Sequence, residues 1–430
     1  MSSKEAKKRA RALTGLLPDE KIVFKPIDDA SATSDEDLNS RYVKGEVRIV
    51  TESARYPLAG ILSMLEETVD LKDGSERELR YKLDPEYQRR HRWSDERKSR
   101  LIESFLMNVP VPPVFLFERD FARFEVMDGR QRLTALSEFY ADKLVLCGLQ
   151  YWPELNERTY STLPSKVRVG IDRRYISAII LLKETAPDEE QAAQLKKMVF
   201  ERLNSGGVAL SSQEARNAVY PGPLNQLCLD LSRNATFRTM WGIPSESSPT
   251  GSDDEDVEER DDSTNVGRRM FERMDDVELV LRFFAYRQID SFPGGLNKIS
   301  ALLDWFLSAG NKFPASLLDA YRTMFERTVE FLSSTLGASA FCRLDPSGKP
   351  QGRPTKIVYD PLMFVASQYA QGSKRKLLVQ GRQELLVQLG TMYAVNKKLF
   401  AGRSTNSAQT QERNIRMKEA FDAALAKLTA

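Results

Sequence analysis

The stretch FEVMDGRQRLTAL, residues 124–136, decides how the chain is read. Phe124 to Met127 carries the apolar run of a buried strand, and that run stops at Asp128. Leu133, Leu136 and Tyr140 then recur at helical spacing. Gly129 therefore falls at a strand-to-helix corner, where a residue without a Cβ lets backbone or ligand approach closely. Arg130, Gln131 and Arg132 occupy the first turn of the helix. Unpaired N–H groups and the helix dipole make that turn positive and favour acids there. Two arginines oppose the dipole, which points to an anion supplied from outside, and the planar guanidinium fork suits a phosphate. In the competing reading Arg130 and Arg132 pair with carboxylates of the chain and Asp128 is an ordinary cap, not a holder of a divalent ion or a water.

Working outward, VFLF at 114–117 and FEV at 124–126 read as strands around the turn ERDFAR. Ser94 caps a helix whose apolar face is Leu101, Ile102, Phe105 and Leu106, ended by Asn108 and the prolines of NVPVPP. A strand is expected near Val47–Val50, a helix through Leu58, Ile61, Leu62 and Leu65, and a third core strand at YISAIILL, 175–182. Beyond about residue 187 the pattern is helical. Gln191–Leu203 forms one helix, and Ser211-x-x-Glu214 is a capping box opening another. The eleven residues SDDEDVEERDD hold eight acids and read as a connector, because nothing in them can be buried. Met270, Met274, Val277, Leu281 and Phe284 then predict one continuous helix, and TQERNIRMKEAFDAALAKL predicts another.

This gives an α+β fold class: an N-terminal α+β domain followed by a mainly α-helical C-terminal region. The expected division is a mobile tail at 1–40, the α+β domain at 41–185, a helical extension at 186–244, an acidic linker at 245–266 and a helical domain at 267–430.

Composition removes several mechanisms. The 63 basic and 61 acidic residues leave a net charge of +2, so tight binding to nucleic acid has to come from local patches. Three scattered cysteines, Cys147, Cys228 and Cys342, form no disulfide framework and fit a reducing, cytoplasmic compartment. No apolar run is long enough for a membrane span, and the basic N-terminus is not followed by the apolar core of a secretory signal. The single histidine, His91, excludes multi-histidine zinc sites and an HNH nuclease centre.

Two further clusters carry candidate chemistry. YQRRHRW, 87–93, interleaves Arg89, Arg90 and Arg92 with Tyr87 and Trp93, a mixture that grips a nucleotide or a DNA backbone, or else is a solvated charge run. FERLNSGGVALSSQEARNAVY, 200–220, sets Asn204-Ser205-Gly206-Gly207 between two helices, either as a plain C-cap or as backbone groups facing a ligand.

Taken in order, YQRRHRW, LIESFLMNVPVPPVFLF, FEVMDGRQRLTAL and FERLNSGGVALSSQEARNA resemble the N-terminal domain of GmrSD-type restriction proteins, from about residue 50 to residue 220. The resemblance implies a ParB/sulfiredoxin-like fold. It implies nucleotide binding, in some members Mg²⁺-dependent NTP hydrolysis, and a role in restriction of phage DNA. The family's hallmark is Asp-Gly-Gln-Gln-Arg before a Leu-Thr helix. Asp128, Gly129, Gln131 and Arg132 match it, and Arg130 departs from it. The resemblance assigns Asp128 and Gln131 to catalysis, with Asp128 also holding the metal. It assigns Gly129, Arg130, Arg132, Gln88, Arg89, Asn204 and Gly207 to the nucleotide phosphates. With no HNH centre, DNA cutting falls to a partner nuclease or ATPase. The alternatives are a DNA-binding module without NTP turnover, or a structural adaptor. Homo-oligomerisation is compatible with each.

Overall fold

The computed structural model describes residues 15–22, 34–44, 50–70, 77–83, 93–183, 192, 195–199, 202, 211–244, 262–292, 299–401 and 407–429. These fall into two compact units. One spans 34–202; the other joins 15–22 to 211–429. The division at 210/211 lies inside the stretch expected as a helical extension, and helices of 211–244 pack with the later ones.

The first unit is α+β. Its elements are α1 (Asp35–Lys44), β1 (Thr51–Pro57), α2 (Ile61–Glu66), β2 (Thr68–Asp70), β3 (Arg77–Leu79), β4 (Tyr81–Lys82), α3 (Asp95–Leu106), β5 (Val114–Asp120), β6 (Arg123–Asp128), α4 (Arg130–Tyr140), α5 (Ser165–Asp172) and β7 (Tyr175–Leu181). Five strands form one mixed sheet in the order β1-β7-β5-β6-β4. β1 and β7 are antiparallel, β7 and β5 parallel, β5 and β6 antiparallel, and β6 and β4 parallel. β5 and β6 are longer than the sequence pattern implied and close on a two-residue turn at Phe121–Ala122, because Asp120 pairs with Arg123. Val114, Leu116, Phe124, Val126, Ile176, Ala178 and Ile180 bury one face of the sheet beneath Leu101, Ile102, Phe105, Leu133, Leu136 and Phe139 of α3 and α4. Ser94 caps α3 as expected, its hydroxyl accepting from Arg97 N at 3.3 Å.

Strand alternation puts Glu125 on the opposite face of β6 from Phe124 and Val126. It is buried there, and Lys196 donates to both of its carboxylate oxygens at 2.8 Å. This pairing explains how a strand in the middle of the sheet tolerates a carboxylate.

The second unit is helical: α6 (Ser212–Val219), α7 (Pro223–Leu231), α8 (Ala235–Trp241), α9 (Asp262–Glu272), α10 (Asp275–Ala285), α11 (Ile299–Gly310), α12 (Ala315–Leu336), α13 (Lys356–Ala366), α14 (Gly372–Gln380), α15 (Arg382–Val395) and α16 (Ser407–Thr429), with one hairpin, β8 (Arg343–Leu344) and β9 (Pro350–Gln351). Among the described residues no helix is long and apolar enough to cross a membrane.

Two expectations are corrected here. The continuous helix through Met270 and Phe284 is broken at Met274, whose φ of 54° is left-handed. The break leaves Arg273 O to accept from Ser211 Oγ at 2.5 Å, and Asp275 and Asp276 open a new helix with the acids its first turn favours. The mobile-tail expectation for 1–40 also fails in its described parts. α1 is helical, and Glu20 is fully buried. Its carboxylate accepts from Arg287 Nη2 at 2.9 Å, and Gln288 bonds the backbone of Glu20 and Ile22. A polar local pattern gives no sign of a buried partner more than 260 residues away.

Candidate functional site

β6 delivers Asp128 to the corner, and α4 leaves it across Gly129. Gly129 has φ +93°, a left-handed value that an L side chain adopts only at a cost. A Cβ added there would lie 2.9 Å from Val114 Cβ and 3.1 Å from its Cα. Val114 is completely buried in the neighbouring β5. The corner thus needs glycine on two counts, conformation and close approach of two strands.

Gly129 is the N-cap of α4, and no side chain caps that end. Its first turn carries no acid. The N–H groups of Arg130, Gln131 and Arg132 precede the first intrahelical bond, which Leu133 N makes to Gly129 O at 2.9 Å. Asp128 stands beside this turn with a side chain 42% exposed.

Arg132 does not match its expected role. Its Nη2 donates to Asp128 Oδ2 at 2.6 Å, while Nη1 donates to the carbonyls of Pro112 and, at 3.2 Å, Pro113. The side chain is 12% exposed. The expectation that both first-turn arginines await an external anion is therefore corrected for Arg132: Asp128, four residues earlier, meets its charge. Arg132 instead ties the end of β6 to the chain entering β5. Arg130, at the first helical position, is half-buried.

Gln131 is also fixed from within. Its Oε1 accepts from Trp93 N at 3.3 Å, and the Trp93 ring lies under the Arg97 guanidinium at 4.9 Å. This brings the start of α3 to the first turn of α4, a neighbourhood the sequence did not reveal. Gln88, Arg89, Asn204 and Gly207, with the rest of YQRRHR and the Asn-Ser-Gly-Gly segment, lie outside the described residues.

Among the described residues no three metal-ligating side chains gather into one group. Asp128 is the carboxylate at the corner. A single exposed carboxylate is enough for Mg²⁺ when phosphate oxygens and water complete the octahedron, so this residue fits a nucleotide-borne metal and not a dedicated protein cage.

The fold and this corner define a class: an α+β domain organised around a strand–glycine–helix turn with an aspartate at the strand end. Residues 70–221 match the family model of the GmrSD restriction endonuclease N-terminal domain, and the chain carries a member of that family. The match runs past the division at 210/211 to include α6. No curated protein and no solved structure matches the chain.

Proposed function

We propose that the chain is a nucleotide-binding, NTP-hydrolysing regulatory component of a restriction system acting on DNA, with DNA cutting supplied by a partner protein. One observation carries the nucleotide half: the uncapped start of α4 faces a half-exposed carboxylate across a glycine that no other residue can replace without strain. The family match carries the restriction half.

In this reading the N–H groups of the first turn and the Arg130 side chain bind the terminal phosphates. Bound with the nucleotide, Mg²⁺ would neutralise phosphate charge, with Asp128 as its protein contact. Gln131, oriented by Trp93 N–H, places the attacking water. The water oxygen bonds to the γ-phosphorus, the bridging bond to the β-phosphate breaks, and the nucleoside diphosphate leaves with the electron pair. Arg132 is a positioning residue that holds Asp128. The supports for this assignment are geometry and family, and the ParB/sulfiredoxin-like label comes from the resemblance alone.

The test is an NTP panel assayed for phosphate release with Mg²⁺, in the presence and absence of duplex DNA. Asp128→Ala should lower turnover by about 10²-fold or more, the scale of losing one charge-stabilising group, with an unchanged melting temperature. Arg132→Met should lower turnover less, and added Mg²⁺ should restore part of it. Wild-type turnover in Asp128→Ala would remove the residue from the mechanism.

A second reading is favoured by the internal pairing of Arg132 with Asp128: a module that binds DNA or a partner without turnover. Calorimetry separates the two, since an NTP site binds saturably and with Mg²⁺ dependence.

A further inference from the structure

The overall charge of +2 conceals a strong asymmetry. Residues 341–401 contain ten Lys and Arg against three Asp and Glu, a local net charge of +7, so the remaining 369 residues are net −5. All three acids of this segment are engaged within the unit. Asp345 accepts from Ser347 N, Ser347 Oγ and Lys349 N in the hairpin turn. Asp360 pairs with Arg282. Glu384 accepts from Lys427 and Gln388. The bases are left in excess. Arg343, Lys349, Arg382, Lys397 and Lys398 form no ion pair with any described carboxylate, and all but Arg343 are exposed.

Packing brings these side chains onto one side of α15. The β8–β9 hairpin lies across that helix. A Cβ on Gly348 would meet Leu386 Cβ at 2.8 Å, and one on Gly390 would run into Asp345 O. The hairpin therefore crosses α15 over the Leu386–Gly390 turn, with Lys349 next to the Gly348 contact. Arg382 stands four residues before Leu386, the spacing that keeps residues on one helix face. Lys397 and Lys398 follow directly on the last turn, beyond Val395. At ~1.5 Å per residue, Arg382 and Lys397 are separated by roughly 20 Å along the axis, a distance over which a duplex presents several phosphates.

We infer that this ridge, formed by the hairpin and α15 of the helical unit, is a binding surface for the phosphate backbone of duplex DNA. A solvated charged face mixes both signs and pairs them, as Arg416 does with Glu412 and Glu419 on α16. Here one sign dominates and the acids are consumed elsewhere. Lysines near a helix C-terminus suit its dipole, but that accounts for Lys397 and Lys398 alone and leaves Arg382 and Lys349 unexplained. The choice of DNA among polyanions rests on the restriction reading above; the charge asymmetry does not. The contacts are to phosphates, so the surface fixes position and carries no sequence preference.

Fluorescence anisotropy of the full chain with a labelled duplex tests this, beside single-stranded DNA and duplex RNA of equal length. With about five phosphates neutralised, affinity should fall on the order of 500-fold as salt rises from about 50 to about 200 mM. In a variant carrying Lys349→Gln, Arg382→Gln and Lys397→Gln the same salt change should cost only about 12-fold, because about two contacts remain. Binding at the lower salt should be weaker by at least tenfold. These positions are exposed, so the melting temperature should hold. Arg416→Gln with Lys418→Gln, whose charges are already paired, should bind like wild type. Absence of duplex binding at low salt overturns the proposal. So does equal binding by the triple variant, and so does tighter binding of RNA than of DNA. Duplex binding without any NTP hydrolysis supports the ridge while removing the nucleotide reading, so the two fail separately.

Discussion

Gly129→Ala is expected to destabilise the 34–202 unit by about 2–5 kcal/mol. A left-handed φ costs an alanine ~1–2 kcal/mol, and forcing a methyl into a packed core costs ~1–3 kcal/mol more. The neighbour cannot yield cheaply, because Val114 is fully buried and its strand is paired on both sides, with β6 and with β7. Against a domain stability of ~5–15 kcal/mol this is a large fraction. The melting temperature should fall by roughly 5–20 °C at the ~2–4 °C per kcal/mol typical of this size. The steric share can be isolated with Val114→Ala. Removing two methyl groups opens the space that the new Cβ needs, so the double variant should be less destabilised than the sum of the single ones, by about 1–2 kcal/mol. Strict additivity would show that φ strain alone is at work. An unchanged melting temperature in Gly129→Ala would remove the corner's claim on glycine, and with it the structural basis of the candidate site.

This corner was legible in the sequence because it depends on local signals. Apolar character stops at Asp128, helical spacing begins at Leu133, and the residue between them needs little context to read. The same holds for Ser94 and for Ser211 with Glu214, whose capping bonds span three residues. Arg132 was misread although its partner was equally local. The dipole argument treated the first turn by itself, whereas Asp128 and Arg132 are four apart, the spacing of an ordinary side-chain pair. Other features were beyond local reading. Val114 beneath Gly129, Trp93 against Gln131 and Lys196 against Glu125 are consequences of strand order and helix packing, which no single stretch encodes. The basic ridge was hidden differently. Net charge was taken over the whole chain, and the acid-rich connector cancels what 341–401 accumulates.

The largest effect in the helical unit is expected from Arg216→Met. Arg216 is 3% exposed and bonds four groups: Asp304 Oδ1 at 2.9 Å, Glu278 Oε2 at 3.0 Å, Gln213 Oε1 at 3.0 Å and Ser300 Oγ at 2.9 Å. Methionine fills much of the volume but leaves two buried carboxylates short of a counter-charge, a loss of ~3–5 kcal/mol. Arg216→Lys keeps the charge without the fork and should fall between the two. The dependence on pH discriminates this account from a simple packing defect. Burial by itself pushes the Glu278 carboxyl up, but the charges of Lys356, Arg216 and Arg282 outweigh it and hold it at about 2. Its ordinary value is 4.5, so the folded state binds the proton more weakly than the unfolded chain. The resulting stability is fully present above about pH 4.5 and is lost as pH falls toward about 2. Removing Arg216 takes away part of that depression. Urea unfolding at about pH 6 should therefore show the full gap between wild type and Arg216→Met, and at about pH 3 the gap should shrink by roughly 1 kcal/mol or more. A gap of the same size at both pH values would mean that lost packing, not the charge network joining α6, α10 and α11, is what the substitution removes.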